Sequence, residues 1–378
     1  MNVLFLDQFS DLGGAQLCLL DLVPAVQAEG WTVSCAVPGR GRLVDTLHAH
    51  GVTVHSLPVT HLASGHKSAR DSLRFAREAP KLVREIARLA EETRPDLVYV
   101  NGPRPLPAAA WVAGRTRRPL VFHCHNHLAQ HSAAVVAGRA LQLCRARVIA
   151  CCRHVARPLW PYIDPGRLRV IYNGVAAPPG MRAANTGGLR IGIVGRISPE
   201  KGQAEFLEAA RIVAQKHPAA KFVVCGSPLF SDAAAEHYAA RLGELAAGLP
   251  VDFTGWQEDV NAILARLDVL VVPSLREPGA PRVVIEAFAA RVPVVAFVSG
   301  GIPEIVINNE TGFLIEPPTS DALAAKLAAL LDDPDALQAA AGRAREAWKE
   351  KFTLERYQRE VLEVMGLTQT RSATGRSI

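Results

Sequence analysis

The chain has 378 residues, 49% of them hydrophobic and 21% charged, with a net charge of +6; this exceeds the usual size of a single domain, and two are expected. No apolar run reaches the roughly 20 residues of a membrane span, no stretch interleaves aromatics with Arg or Lys as a nucleic-acid groove would, and the seven cysteines form no CxxC pair. These features exclude a spanning helix, a nucleic-acid partner, structural zinc and a disulfide framework, and leave a cytoplasmic protein whose cysteines act as small buried hydrophobes.

Short β-rich runs alternate with alanine-rich segments of helical period along the whole chain, the pattern of parallel sheets built from βαβ units. The first half predicts strands at Val3–Asp7, Thr32–Val37, Val52–Leu57, Leu97–Asn101, Leu120–His123, Val148–Ala150 and Arg169–Tyr172. Between the second and fourth of these, Lys67, Arg70, Arg74, Arg77, Lys81, Arg84 and Arg88 recur every three or four residues, opposite Phe75, Ala79, Leu82, Val83 and Ile86. That is a basic amphipathic helix, with Pro80 as a potential kink. Two readings stand: a solvated face in which Glu78 and Glu85 pair with the cations, or a peripheral contact with anionic head groups on the inner face of a membrane. On the fifth strand His123, His125 and His127 occupy alternate positions and so share a face, which admits a metal site but does not require one; no metal is expected.

A linker is expected over Asn173-Gly174-Val175-Ala176-Ala177-Pro178-Pro179-Gly180 and Asn185-Thr186-Gly187-Gly188, which are rich in turn formers. The second half predicts strands at Arg190–Val194, Lys221–Cys225, Val251–Phe253, Val269–Val272, Val294–Phe297 and Gly312–Ile315. Each half thus reads as its own doubly wound sheet, and an active site is expected in a cleft between the two. After the strand ending at Val194 comes Gly195-Arg196-Ile197-Ser198-Pro199-Glu200-Lys201-Gly202, and then a helical run. A strand that turns through glycine into a helix presents unpaired N–H groups to an anion, and Arg196 and Lys201 add a diphosphate clamp. The spacing fits neither a Walker loop nor GxGxxG. Further on, Glu277 and Glu286 flank Gly279-Ala280-Pro281 at a strand-to-helix junction, where carboxylates can accept hydrogen bonds from sugar and ribose hydroxyls. Pro281 suits the first helical position.

These motifs together, with Phe253-Thr254-Gly255, Gly300-Gly301-Ile302-Pro303-Glu304, Gly13-Gly14-Ala15-Gln16 and Tyr172-Asn173-Gly174-Val175, resemble glycosyltransferase family 4 over nearly the whole chain. The resemblance implies the GT-B fold, two Rossmann-like domains facing across a cleft: an acceptor-binding domain at 1–175, a nucleotide-sugar-binding domain at 176–352 and a helix at 353–367 packing back on the first; residues 368–378, polar and aperiodic, read as a disordered tail. It implies a retaining transfer from a nucleotide sugar, with UDP- or GDP-sugars favoured, to a glycan, lipid-linked or other glycoconjugate acceptor, without metal or cofactor. Carried over by position, Arg196 and Lys201 neutralise the departing diphosphate, Glu277 holds the sugar hydroxyls and Glu286 the ribose. His125 lies beside the donor sugar and Asn126 approaches the acceptor. Gly13, Gly14 and Gly195 allow close approach to the phosphates, while the donor base is held near Gly226, Gly255 and Trp256. One departure stands out: the family usually separates its two glutamates by seven residues, and here eight lie between Glu277 and Glu286. The extra residue falls in Gly279-Ala280-Pro281, where Pro281 has no N–H to offer a sugar. Rival readings are a GT-B epimerase or phosphorylase, and a non-catalytic sugar-nucleotide sensor. A nicotinamide oxidoreductase is disfavoured because Asp11-Leu12-Gly13-Gly14-Ala15 lacks the dinucleotide fingerprint.

Overall fold

The computed structural model describes residues 1–59, 69–180, 189–228 and 233–374. The chain divides into two compact units, one made of Met1–Tyr172 with Arg356–Ile378 and the other of Asn173–Glu355. The first unit holds β1 (Asn2–Asp7), β2 (Thr32–Val37), β3 (Thr53–Ser56), β4 (Leu97–Asn101), β5 (Leu120–Cys124), β6 (Arg147–Ala150) and β7 (Leu168–Val170). The second holds β8 (Arg190–Val194), β9 (Lys221–Cys225), β10 (Val251–Gly255), β11 (Val269–Val272), β12 (Val294–Phe297) and β13 (Phe313–Ile315). Every strand read from the sequence is found, with ends displaced by one or two residues.

Both sheets are parallel throughout, in the orders β3-β2-β1-β4-β5-β6-β7 and β10-β9-β8-β11-β12-β13. The inner strands β4, β5, β11 and β12 are buried along their whole length, as strands covered on both faces must be. The edge strands β3 and β10 have no fully buried residue and are partly exposed. In each sheet the order reverses at the first strand, between β1 and β4 in one and between β8 and β11 in the other. Helices diverge there, so the carboxyl ends of those strand pairs are where a doubly wound sheet has room for a ligand.

The core of the first unit packs Phe5 against Tyr99, ring centroids 4.9 Å apart and planes tilted by 50°, and that of the second sets Phe206 edge-on to Phe222. None of the seven cysteines forms a disulfide, and all but Cys144 are buried. The final helix, Leu354–Thr374, belongs largely to the first unit: Tyr357, Val361, Val364 and Met365 form its buried stripe. Gln358 Nε2 donates to the Asp21 carbonyl at 2.6 Å, and Arg169 pairs with Glu363 at 3.0 Å. This helix passes Thr368, where the sequence suggests the start of a disordered tail, and continues to Thr374. An established helix extends at little further cost, and no glycine or proline interrupts it between Gly366 and Gly375. The linker residues Asn185 to Gly188 lie outside the described residues.

The basic segment forms one helix, Ala69–Thr93, which continues through Pro80. The fold buries Leu82, Ile86, Leu89 and Ala90 of this helix, while Ala79 and Val83 are partly buried. Arg74, Arg77, Lys81, Arg84 and Arg88 face solvent, where Arg74 pairs with Glu78 at 3.2 Å and Arg88 with Glu85 and Glu92. Lys67 and the side chains of Arg70 and Phe75 lie outside the described residues. Among the described residues no helix is long and apolar enough to cross a membrane.

Candidate active site

On the β8 side of the reversal in the second sheet, β8 and β9 are each followed by a glycine and β10 ends in one. Gly195 N–H donates to the Cys225 carbonyl at 2.9 Å, and Gly226 N–H to the Gly255 carbonyl at 2.8 Å. A Cβ on Gly226 would lie 1.9 Å from the Gly195 oxygen, so only glycine allows the backbones this approach. The loop beyond Gly195 is pinned on both sides. Buried Gln203, first residue of the helix Gln203–Lys216, donates from Nε2 to the Arg196 carbonyl at 2.8 Å and accepts from Ser198 N–H at 3.4 Å. On the other side, Leu275 N–H donates to the Glu200 carbonyl at 2.9 Å. Between these ties the single turn Pro199–Lys201 aims Lys201 at Glu277, with Nζ 2.7 Å from Oε2. Arg196 stands 3.9 Å from Glu200.

Glu277 is buried and its own backbone is fixed: its N–H donates to Ser299 Oγ at 2.8 Å, and its carbonyl lies against Gly300, where a Cβ would come within 2.1 Å. A small recess is lined by Gly195, Lys201, Gln203, Ser274 and Pro281. Glu286 sits one turn into the helix Arg282–Ala289 and pairs with Arg282 at 2.7 Å, both side chains mostly buried. Pro281 does not occupy the first helical position suggested by the sequence. It stands one residue earlier, as the N-cap, because its ψ of 119° is extended. Gly279 accepts from Gly301 N–H at 2.9 Å, and the Ala280 carbonyl accepts from Asn173 Nδ2 at 3.3 Å, so two successive residues of the lengthened loop are braced. Trp256 follows Gly255, whose φ of +66° turns the chain at the end of β10.

In the first unit, the helix Gly14–Ala28 starts at Gly13 without a side-chain cap; Gly14 is exposed and a Cβ there would meet nothing within 4 Å. The three histidines diverge. His123 is fully buried with Nδ1 2.6 Å from Tyr99 Oη, His127 Nδ1 meets the His154 carbonyl at 2.9 Å, and His125 Nε2 lies 2.7 Å from Asn101 Oδ1. Among the described residues no group of three His, Cys, Asp or Glu side chains is placed to hold a metal. Asn126 is exposed, and its carbonyl accepts from the Cys124 thiol at 3.4 Å.

A sequence model of the family described as Glycosyltransferase Family 4 matches residues 12–177, and one described as Glycosyl transferases group 1 matches 182–348. The chain belongs to glycosyltransferase family 4. The glycogen synthase of Mycobacterium tuberculosis strain H37Rv is 32% identical over 214 residues, which are 54% of this chain and 50% of that protein. An Escherichia coli protein named UDP-Gal:alpha-D-GlcNAc-diphosphoundecaprenol alpha-1,3-galactosyltransferase is 31% identical over 186 residues, 46% of this chain and 47% of its own. The chain thus spans about half the length of the curated relatives it matches. Among solved structures, HepE of Anabaena in complex with UDP and glucose superposes with a TM-score of 0.81 at 25% identity, covering 97% of this chain and 99% of that one. The fold is GT-B in type, two Rossmann-like units each with a parallel sheet.

The geometry of this family 4 member brings Gly195, Arg196, Lys201 and Glu277 to one reversal point and surrounds them with residues that the sequence reading did not single out. Gln203 and Ser299 hold the loops, and Arg282 neutralises Glu286. The same holds for Asp7 and Asn101 in the first unit. Asp7 ends β1 fully buried; it accepts from Phe9 N–H at 2.9 Å, from Gln16 Nε2 at 2.9 Å and from Asn101 Nδ2 at 2.6 Å. A signal for them existed: polar residues closing otherwise apolar strands β1 and β4 on either side of the reversal.

Burial pushes the Asp7 carboxyl from its ordinary 3.8 up to about 6, against the pull of its hydrogen bonds. Below about pH 4 folded and unfolded chains both hold this proton; between about 4 and 6 only the folded chain keeps it, so this carboxyl's share of stability falls as pH rises through that window and is lost above it. Asp7→Asn does not titrate. Its melting temperature relative to wild type is therefore expected to move in its favour from pH 4 to pH 7, by the equivalent of about 3 kcal/mol. A difference that stays flat over that range, followed by thermal melts, would contradict a buried titrating Asp7.

Proposed function

We propose that this chain transfers a sugar from a nucleoside-diphosphate donor to a glycan, lipid-linked or other glycoconjugate hydroxyl, retaining the anomeric configuration and using no metal. One observation carries the reading: Lys201 and Glu277, a cation for a diphosphate and a carboxylate for sugar hydroxyls, meet at 2.7 Å above glycine-ended strands at the reversal point of a parallel sheet. A phosphate site alone would need no buried carboxylate beside its cation. UDP-sugars are the favoured donors, since HepE, alike over 97% of this chain, was solved with UDP and with UDP-glucose.

In the proposed reaction the bond between the anomeric carbon and the donor phosphate oxygen breaks, and the electron pair leaves with the diphosphate. Arg196 and Lys201 neutralise that developing charge. The acceptor hydroxyl oxygen bonds to the same face of the anomeric carbon, and its proton passes to the departing phosphate oxygen. Glu277 positions the sugar hydroxyls, Glu286 the ribose, and the open N–H groups at Gly13 and Gly14 the phosphates. Gly226, Gly255 and Trp256 hold the base, Gly279, Ala280 and Pro281 border the sugar, and Asn126 serves the acceptor.

Thermal shift with UDP, GDP, ADP and UDP-glucose at millimolar concentration is the direct test. A ligand at a hundred times its Kd stabilises by about 2.7 kcal/mol, a shift of a few degrees. UDP and UDP-glucose are expected to give it; no shift with any of the four would sink the reading. Slow release of UDP that persists in excess EDTA is expected as well.

The solvent-facing cations Arg77, Lys81 and Arg84 support a contact with an anionic surface carried mainly by charge, since Leu82 and Ile86 of the apolar stripe are already buried. Such a contact predicts co-sedimentation with phosphatidylglycerol vesicles at low salt and release at high salt. Failure to sediment at low salt would remove it.

A further inference from the structure

The resemblance to glycosyltransferase family 4 puts His125 beside the donor sugar, and three buried side chains of the first unit decide how its ring is held. Asp7 ends β1 and Asn101 ends β4, the two strands that flank the reversal of strand order. Asn101 Nδ2 lies 2.6 Å from Asp7 Oδ2 and 3.2 Å from the Ala15 carbonyl, so both hydrogens of the amide have acceptors. This orientation turns Oδ1 the other way, 2.7 Å from His125 Nε2. An amide oxygen can only accept, and Nε2 must therefore carry the ring hydrogen. Burial pushes the ring's acid dissociation down to about 3, which leaves it neutral with a single N–H. Nδ1 then presents a lone pair. Asp7 itself is oriented by Phe9 N–H and Gln16 Nε2, so the order starts at the backbone and at the helix that opens with Gly14.

We propose that Asp7 and Asn101 are positioning residues for sugar transfer, fixing His125 as its Nε2–H tautomer so that Nδ1 accepts a hydrogen bond from a hydroxyl of the bound sugar. The relay rests on the reading of His125 given above and deepens it: at this point the site takes a hydroxyl that donates and disfavours a carboxylate or phosphate oxygen, whose lone pairs would face that of Nδ1. A ring fixed in this form orients its ligand without exchanging a proton with it.

The test uses the full chain labelled with 15N-histidine, the His125 signals being assigned by their loss in His125→Gln. Wild type at pH 7 is expected to show a directly bonded hydrogen at Nε2 and none at Nδ1. Asn101→Leu removes the acceptor, and a mixed tautomer is expected, together with a fall of about tenfold in kcat and a donor KM within about twofold of wild type. Asn101→Asp keeps an oxygen beneath Nε2 and is expected to keep the tautomer. A hydrogen at Nδ1 in the wild type overturns the proposal without recourse to any variant. An unchanged tautomer in Asn101→Leu overturns it too, and Asn101→Ala serves the same comparison should the leucine variant fail to fold. The two readings fail separately: a His125→Ala variant that transfers at the wild-type rate removes His125 from the site, whereas an inactive His125→Ala beside an Asn101→Leu of unchanged tautomer and rate removes the relay alone.

Discussion

Lys201→Ala is expected to lower kcat for sugar transfer by about a hundred- to a thousandfold, the usual cost of removing one group that meets charge developing on a leaving oxygen. Its ammonium stands on a turn that Gln203, Gly202 and the Glu200 carbonyl hold from three directions, so little reorganisation is needed when the diphosphate departs. The same substitution leaves the Glu277 carboxylate buried beside no lysine, and a loss of stability is expected with it, moderated because Lys201 is itself partly exposed. The two effects separate in Lys201→Ala/Glu277→Gln, where the melting temperature is expected to recover and kcat is not. Because the donor diphosphate is already charged before the bond breaks, kcat/KM should fall at least as far as kcat. A Lys201→Ala enzyme within tenfold of wild type, or one changed in KM alone, would refute the leaving-group role.

Gly202→Ala is expected to destabilise the chain by about 2 to 4 kcal/mol and to abolish donor binding at the same time. Two costs combine. At φ +76° the backbone is left-handed, which a side chain opposes by about 1 to 2 kcal/mol. The added methyl would also lie 1.9 Å from the Pro273 carbonyl oxygen, backbone that moves only by parting the cation loop from the chain that leads to Glu277. Gly14→Ala is the comparison: its methyl meets nothing within 4 Å and it stands in a helix, so its melting temperature should equal or exceed that of wild type. Equal melting temperatures for Gly202→Ala and wild type, measured by calorimetry without ligand, would show that the loop is not held as described.

The basic helix shows where sequence and structure part. Its charge stripe was legible from the three- and four-residue spacing of its cations, and so was its apolar stripe. Which surface the apolar stripe covers was not, because a helical period says that one face is buried without saying against what. The fold takes Leu82, Ile86 and Leu89, and the cations are what the described part of this helix offers most fully to solvent.

The sequence by itself determined the class of fold and the cation loop, because both are local: a strand buried on two faces is a short apolar run, and a phosphate turn is glycine and cations at one strand end. Only the tertiary structure decided which groups meet. Lys201 and Glu277 are 76 residues apart, Asn101 and Asp7 are 94, and His125 and Asn101 are 24. Those pairings follow from strand order, which sets distant strand ends side by side where the sheet reverses. Burial there gave Asp7 its raised pKa and His125 its single N–H, properties that no residue carries in its own name.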